Sequence, residues 1–485
     1  MKLKDLLKNI EGCVVRGSKG IEITGLSSNS KVVVPGHLFV AKKGLLDDGN
    51  KYILEALSAG AVAILTDIYN PFVKAVQIIH PDIRAVEAQL ASQYYQHPSK
   101  QLYVVGVTGT NGKTTSSFIY KHLLDSLNKP CGLIGTIDWI VKDTHYKATH
   151  TTPDVITCQR LMKEMIMQGC TALSMEVASH ALDQNRVGSI DFDVAVFTNL
   201  TQDHLDYHKD MDSYAKAKAQ LFKGLSKESL AIVNIDDPGY KIMLKDCQAL
   251  VMTYGIDQKA DVRACNIMCY PDKTTCQIFY KGDLKPFSWG MRGRYNIYNL
   301  LSAVALGLSI GVMLEEILQI LACFKGVRGR LEAVENAYGL NVFIDYAHTE
   351  DALKNVLKTL EEAKNGGRLI VVFGCGGNRD TTKRSKMGKV AAEIADKVYI
   401  TSDNPRNEDP ESIISQILAG IIDKSHICVE VDRRLAIIAA IKEAGPKDMV
   451  LIAGKGHETY QILSYKTVEF DDAQIAKESI NEKFL

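Results

Sequence analysis

The chain has 485 residues, 46% of them apolar and 24% charged, with 57 Lys+Arg balanced by 57 Asp+Glu. This length is too great for one compact core and implies two to four domains. A zero formal charge excludes a global attraction to nucleic acid or anionic membrane, so an anionic ligand must be held by local groups.

The eleven cysteines include no CxxC pair, which excludes a structural zinc spacing and suits reduced thiols in a cytoplasmic protein. The opening MKLKDLLKNI lacks an apolar core and a cleavage site, so it is not expected to be a signal peptide, and no apolar run reaches membrane-spanning length. Residues 1–98 mix short strand-like runs (LFVAKKG, AVAILTD) with helical stretches (ILEALSAG, AVEAQLASQYY), and HPSK at His97–Lys100 reads as a linker. Residues 99–330 open with YVVGV, a Gly-rich turn and a helical pattern from Thr114, followed by the buried-strand candidates ALSMEV, DVAVFTNL and LAIVNID. Residues 331–485 repeat one grammar: the apolar runs NVFI, LIVVF, KVYI and MVLIA are followed by the turns DYAHTED, GCGGNRD, TSDNPR and GKGHE. That alternation predicts βα units on a parallel sheet, with the four polar turns meeting at the carboxyl ends of the strands.

The strongest motif is Gly109-Thr110-Asn111-Gly112-Lys113-Thr114-Thr115, between a strand and a helix. Glycines let backbone N–H groups approach phosphate oxygens, and the helix N-terminus adds positive partial charge. Lys113 can reach terminal phosphates and the Thr114 hydroxyl can ligate Mg²⁺. The spacing departs from GxxxxGK[ST], because the first glycine lies only three residues before Gly112. A cation among phosphates needs hard oxygen ligands, with His assisting. Glu176 in SMEVASH and His204 in NLTQDHLDYH, each at a strand end, are candidates. Lys216 and Lys218 are two apart on a predicted helix, and spacing alone leaves both in solvent.

TGTNGKTT, MEVASHAL, NLTQDHLDYH, AKAQLF, YNIYN, GRLEAV, DYAHTEDAL, FGCGGNRD, DNPR and GKGHE resemble, in order, the motifs of the Mur ligases of the MurE branch, from Ser28 to Glu458. The resemblance implies an α/β protein of three domains: a UDP-muramoyl-binding domain (1–98), a central P-loop-type parallel-sheet ATP domain (99–330) and a C-terminal Rossmann-like amino-acid domain (331–485). It implies ATP as co-substrate, two Mg²⁺ ions, and a cytoplasmic monomer of peptidoglycan precursor synthesis with small-molecule substrates only. Lys113, Glu176, His204, Lys218 and Arg330 match catalytic positions. Lys218 matches the lysine that the family carbamylates, joining Thr114, Glu176 and His204 as a metal ligand. Asn296, Asn299, Arg330, Asp345 and His348 match the nucleotide contacts; Ser28 and Ser30 match the uridine side; Thr151, Thr152, Gln184 and Arg186 match the muramoyl dipeptide. The implied chemistry is attack of a carboxylate on the γ-phosphate of ATP, then attack of an amine on the acyl phosphate. Ala178, Asn29, Lys31, Glu350, Asn378 and Ser385 depart from the usual family residues.

The amino acid can be argued in part. Asp403-Asn404-Pro405-Arg406 is a Pro-fixed turn whose arginine offers a planar fork to a carboxylate. meso-Diaminopimelate carries a second carboxylate and lysine does not; an unpaired Arg406 would discriminate by on the order of 10⁴-fold. Arg379 could bind a carboxylate too, and Glu458 an ammonium. The resemblance assigns Arg379, Asp403, Asn404, Pro405, Arg406, Gly454 and Glu458 to diaminopimelate. Arg406 could instead pair with Glu408 or Asp409. Rival readings are ligation of L-lysine, a folylpolyglutamate-synthase-like ligase, a P-loop NTPase switch without covalent product, and a non-catalytic UDP-sugar-binding protein.

Overall fold

A computed structural model describes residues 1–44 and 47–484, organised around three α/β sheets. In the first, Val14–Arg16 runs antiparallel beside Val76–Ile79, followed by the parallel strands Ala63–Thr66, His37–Val40 and Gly25–Ser27. The expected linker at His97 is a 3₁₀ turn, Pro98–Gln101, entered through a left-handed His97.

The second sheet has eleven strands. At its centre Tyr103–Thr108 lies between Ala172–Glu176 and Val194–Phe197, all parallel. These runs are mostly apolar because helices cover both faces, which leaves two separate cores, one on each side. The chain leaves Tyr103–Thr108 through helix Lys113–Ser126 to Cys131–Ile134, returns to Ala172–Glu176, and then crosses to Val194–Phe197. The strand order therefore reverses beside Tyr103–Thr108, and a crevice opens at its carboxyl end. Both edges of the sheet are antiparallel: the hairpin Asp138–Val141/Thr144–Lys147 on one side, and Thr274–Tyr280 with Asp283–Trp289 on the other.

The third sheet has the order Glu332–Ala333, Asn341–Asp345, Met449–Ala453, Leu369–Phe373, Lys397–Ile400, Ile427–Val429, parallel except at the first strand. Its four expected apolar runs are all strands, and their polar turns leave from one edge. Among the described residues no helix is long and apolar enough to cross a membrane.

One buried ion pair braces that edge. Arg433 and Asp472 are both fully buried; Arg433 donates from Nε to Asp472 Oδ1 (2.8 Å) and from Nη2 to Oδ2 (2.7 Å). It also donates from Nη2 to the Ala453 carbonyl (2.9 Å), at the strand end where the GKGHE turn begins. Removing one partner strands a charge in a dry interior. We predict that Asp472→Ala lowers stability by roughly 3–5 kcal/mol and that adding Arg433→Met recovers most of it; thermal unfolding in which the double variant is no better than the single would refute the assignment.

Candidate active site

The Gly-rich turn follows Thr108 and feeds helix Lys113–Ser126. Gly109 has φ +150°, and a Cβ there would lie 1.9 Å from Thr198 Oγ1, so only glycine fits between the two strand ends. Lys113 donates to the carbonyls of Gly109 (2.9 Å) and Thr110 (2.8 Å), with no acidic partner among the described residues. Burial holds its ammonium below the ordinary range, and Arg330 adds to the effect.

Glu176 is fully buried at the end of the neighbouring strand. Its carboxylate accepts hydrogen bonds from the Thr114 hydroxyl (3.0 Å), the Thr136 N–H (2.8 Å) and the Thr136 hydroxyl (3.0 Å). All these donors are neutral, and no ion pair reaches it among the described residues. A dry carboxylate without a cation, beside a second hard oxygen on Thr114, is chemically suited to a divalent metal.

Lys218 is buried and Lys216 exposed, so the spacing expectation holds for only one of them. Helix Met211–Lys223 turns Lys216 to Asp212 at the surface. Lys218 points inward, donating to the Gly109 carbonyl (2.7 Å) with its Nζ 4.4 Å from the Tyr214 ring centre. Burial, then the charge of Lys113, holds its amine well below the ordinary range. His204 lies at the cleft mouth in a left-handed conformation, and burial pushes its imidazole pKa down.

Arg330, the last residue of the 99–330 segment, donates to the Thr114 hydroxyl (2.9 Å), with its guanidinium 4.7 Å from the Tyr346 ring centre. These groups line a cavity of about 190 Å³ together with Thr110–Thr115 and His348. Asn296 and Asn299 lie behind the loop: Asn299 donates to Asn296 Oδ1 (3.0 Å) and accepts from Ser116 (3.1 Å).

A larger cavity of about 900 Å³ adjoins it, sharing Thr136, Thr151, Asp203, His204, Tyr346 and His348. Its far wall carries Arg379, Asp403, Asn404, Arg406, Gly454 and Glu458. Arg406 has φ +53° and donates from Nη1 to the Gly377 carbonyl (2.9 Å). Neither Glu408 nor Asp409 pairs with it: Glu408 binds Arg384, and Asp409 caps the helix Pro410–Leu418. Glu458 is not free, since it accepts from Asn404 (2.8 Å) and from the fully buried Lys455 (3.2 Å). Arg186 holds Gln184 and the Thr152 carbonyl (3.0 Å), while Thr152 bonds the Glu176 carbonyl (2.8 Å), so this trio backs the cleft without lining it. Ser28 and Ser30 line neither cavity; Ser30 donates to Glu55 (3.1 Å).

Three contributors were not visible in the sequence reading. Asp351 accepts from Asn111 of the loop (2.8 Å) and from Thr201 (3.2 Å), joining the second and third sheets. Thr136 orients Glu176, and Lys147 on the edge hairpin lies 5.2 Å from the Tyr460 ring centre across the cavity.

Burial raises the Asp345 carboxyl from 3.8 to about 6, against the pull of Arg330 and the N–H groups of Leu331 and Ala347. Because the folded-state pKa is the higher one, the neutral form's contribution is complete below 3.8 and disappears as pH rises through 6. Asp345→Asn has no charge to lose. Relative to the unaltered chain it should gain up to about 3 kcal/mol between pH 4 and pH 7; thermal unfolding profiles that stay parallel across this window would contradict the account.

Two family profiles match: Mur ligase middle domain over residues 107–307, and Mur ligase, glutamate ligase domain over 329–456. The chain is 44% identical to the UDP-N-acetylmuramoyl-L-alanyl-D-glutamate–2,6-diaminopimelate ligase of Chlamydia felis, over 99% of both chains. It is 40% identical to the protein of the same name from Caldanaerobacter subterraneus, again over 99% of both. A solved structure of a ligase bearing that name superposes with TM-score 0.69 at 32% identity, covering 96% of each chain.

Proposed function

The chain belongs to the Mur ligase family, and on that premise we propose that it uses ATP to join meso-diaminopimelate to the D-Glu of UDP-N-acetylmuramoyl-L-Ala-D-Glu in peptidoglycan precursor synthesis. One observation carries the reading. The loop cavity shares six lining residues with the cavity walled by Arg379 and Arg406, so an activated carboxylate and an incoming amine can be held side by side.

The reaction brings a carboxylate up to polyphosphate, anion against anion. Lys113 and Arg330 form no salt bridge among the described residues, and their charge is available to offset that repulsion. Lys113 would exchange two carbonyl contacts for phosphate oxygens, while Asn296, Asn299, Asp345 and His348 hold the nucleotide. The D-Glu carboxylate attacks the γ-phosphate and ADP leaves; the amine then attacks the acyl phosphate and phosphate leaves. Thr114, Glu176, His204 and a modified Lys218 would hold two Mg²⁺ ions, which would supply further positive charge against the polyphosphate. The depressed Lys218 pKa favours that modification: a neutral amine can attack CO₂, forming an N–C bond and releasing one proton, which turns a cation into an anionic oxygen ligand. Thr151, Thr152, Gln184 and Arg186 face or back the dipeptide, and Ser28 and Ser30 serve the uridine end.

The choice of diaminopimelate rests on Arg406. Among the described residues its guanidinium donates only to carbonyls, which leaves its charge for a distal carboxylate that lysine lacks. Asp403, Asn404, Pro405, Gly454 and Glu458 shape the rest of that subsite. All eleven cysteines are free, consistent with a cytoplasmic enzyme.

Phosphate release should require the UDP-muramoyl dipeptide, ATP, Mg²⁺ and diaminopimelate together, with lysine far weaker. Arg406→Ala should raise the KM for diaminopimelate by about 10²-fold while leaving the KM for ATP unchanged. Equal turnover with lysine, or an unchanged diaminopimelate KM in the variant, would reject the assignment.

A further inference from the structure

The turns that carry Arg379 and Arg406 rest on a side chain with no place in the reaction described above. Arg384, on helix Thr382–Ile394, is fully buried. It donates to both oxygens of Glu408 (Nη1–Oε2 2.8 Å, Nη2–Oε1 3.0 Å), to Gln416 Oε1 (2.9 Å) and to the Gly376 carbonyl (3.1 Å). The same Glu408 carboxylate accepts the Asn378 N–H, so Arg384 and Glu408 together tie the 374–380 turn to the 403–408 turn.

Glu408 is only two residues beyond Arg406, and the chain between them folds back, with the Glu408 N–H on the Pro405 carbonyl (3.0 Å). Both side chains flank Gly377. A Cβ at Gly377 would lie 3.2 Å from Glu408 Cβ, and the Gly377 carbonyl receives the Arg406 guanidinium at 2.9 Å. Glu408 is thus the acidic side chain that the same turn carries beside Gly377, where Arg406 also binds. A planar bidentate fork from a dry arginine already binds both Glu408 oxygens and fixes the orientation of the carboxylate. The Glu408 side chain is still 27% exposed and could swing away if released.

We propose that Arg384 is a specificity-determining positioning residue: by holding both oxygens of Glu408, it keeps Arg406 available to the second carboxylate of the incoming amino acid. The inference rests on the assignment of Arg406 to that carboxylate and adds what keeps Arg406 unpaired.

The account makes Glu408 an internal competitor, so removing Arg384 should be reversible by neutralising Glu408. Arg384→Met should raise the KM for diaminopimelate about tenfold or more, with kcat at saturation and the KM for ATP within about twofold. Adding Glu408→Gln should return that KM to within about threefold of the unaltered enzyme. Arg384→Lys, which keeps a cation in the same hole, covers the case in which the Met variant does not fold; it should show a smaller rise, again reversed by Glu408→Gln. A purely structural role predicts otherwise: lower melting temperature and lower kcat, with no recovery of KM in the double variants, and that result would overturn the proposal. Arg406→Ala, measured alongside, separates the two levels. If that variant raises the diaminopimelate KM and the double variants show no recovery, only the Arg384 role fails; if it leaves the KM unchanged, the Arg406 reading itself fails.

Discussion

Everything in this cleft depends on charged and titratable groups that the fold buries without a salt bridge among the described residues. Lys113 and Lys218 spend their hydrogen bonds on backbone carbonyls of the Gly-rich turn, and Arg330 spends one on a threonine hydroxyl. Such groups are costly to desolvate, and the depressed pKa values of both lysines express that cost. The folded chain tolerates it because a polyanion would recover the energy on binding. Glu176, buried with neutral donors only, poses the complementary demand for a cation. The site is a set of unmet electrostatic requirements that nucleotide, metal and carboxylates would satisfy together.

The fold supplies the geometry through two carboxyl edges turned toward each other. In the second sheet the strand order reverses around Tyr103–Thr108, which places Glu176 and Thr198 on either side of the phosphate loop. In the third, four parallel strands end in the turns that carry Asp345, Arg379, Arg406 and Glu458. Side chains cross the gap: Arg330 reaches Thr114, and Asp351 receives Asn111 and Thr201. Behind the edge of the third sheet lie two charged braces, Arg433–Asp472 under Ala453 and Arg384–Glu408 under the two arginine turns.

Much of this was legible in the sequence, for physical reasons that also mark where legibility ends. The parallel strands announced themselves because strands covered on both faces are continuously apolar, as in LIVVF and MVLIA. The phosphate loop was legible because glycine is required where Gly109 meets Thr198. The antiparallel strands Thr274–Tyr280 and Asp283–Trp289 were not, since half-exposed edge strands mix polar residues into the run. Lys218 could be found only through the family resemblance; two lysines two residues apart look alike until the helix is docked. Asp351, Lys147 and Arg384 were missed because each acts on groups brought near by folding, and a charged residue in sequence ordinarily signals a solvated surface.

The most direct measurement is a crystal structure with a non-hydrolysable ATP analogue and diaminopimelate bound together. The account predicts that Lys113 leaves the Gly109 and Thr110 carbonyls for the terminal phosphate, while the distal carboxylate of the amino acid lies on Arg406 within the same continuous cleft. A nucleotide bound elsewhere, with Lys113 still on its own loop and Arg406 facing solvent, would contradict it.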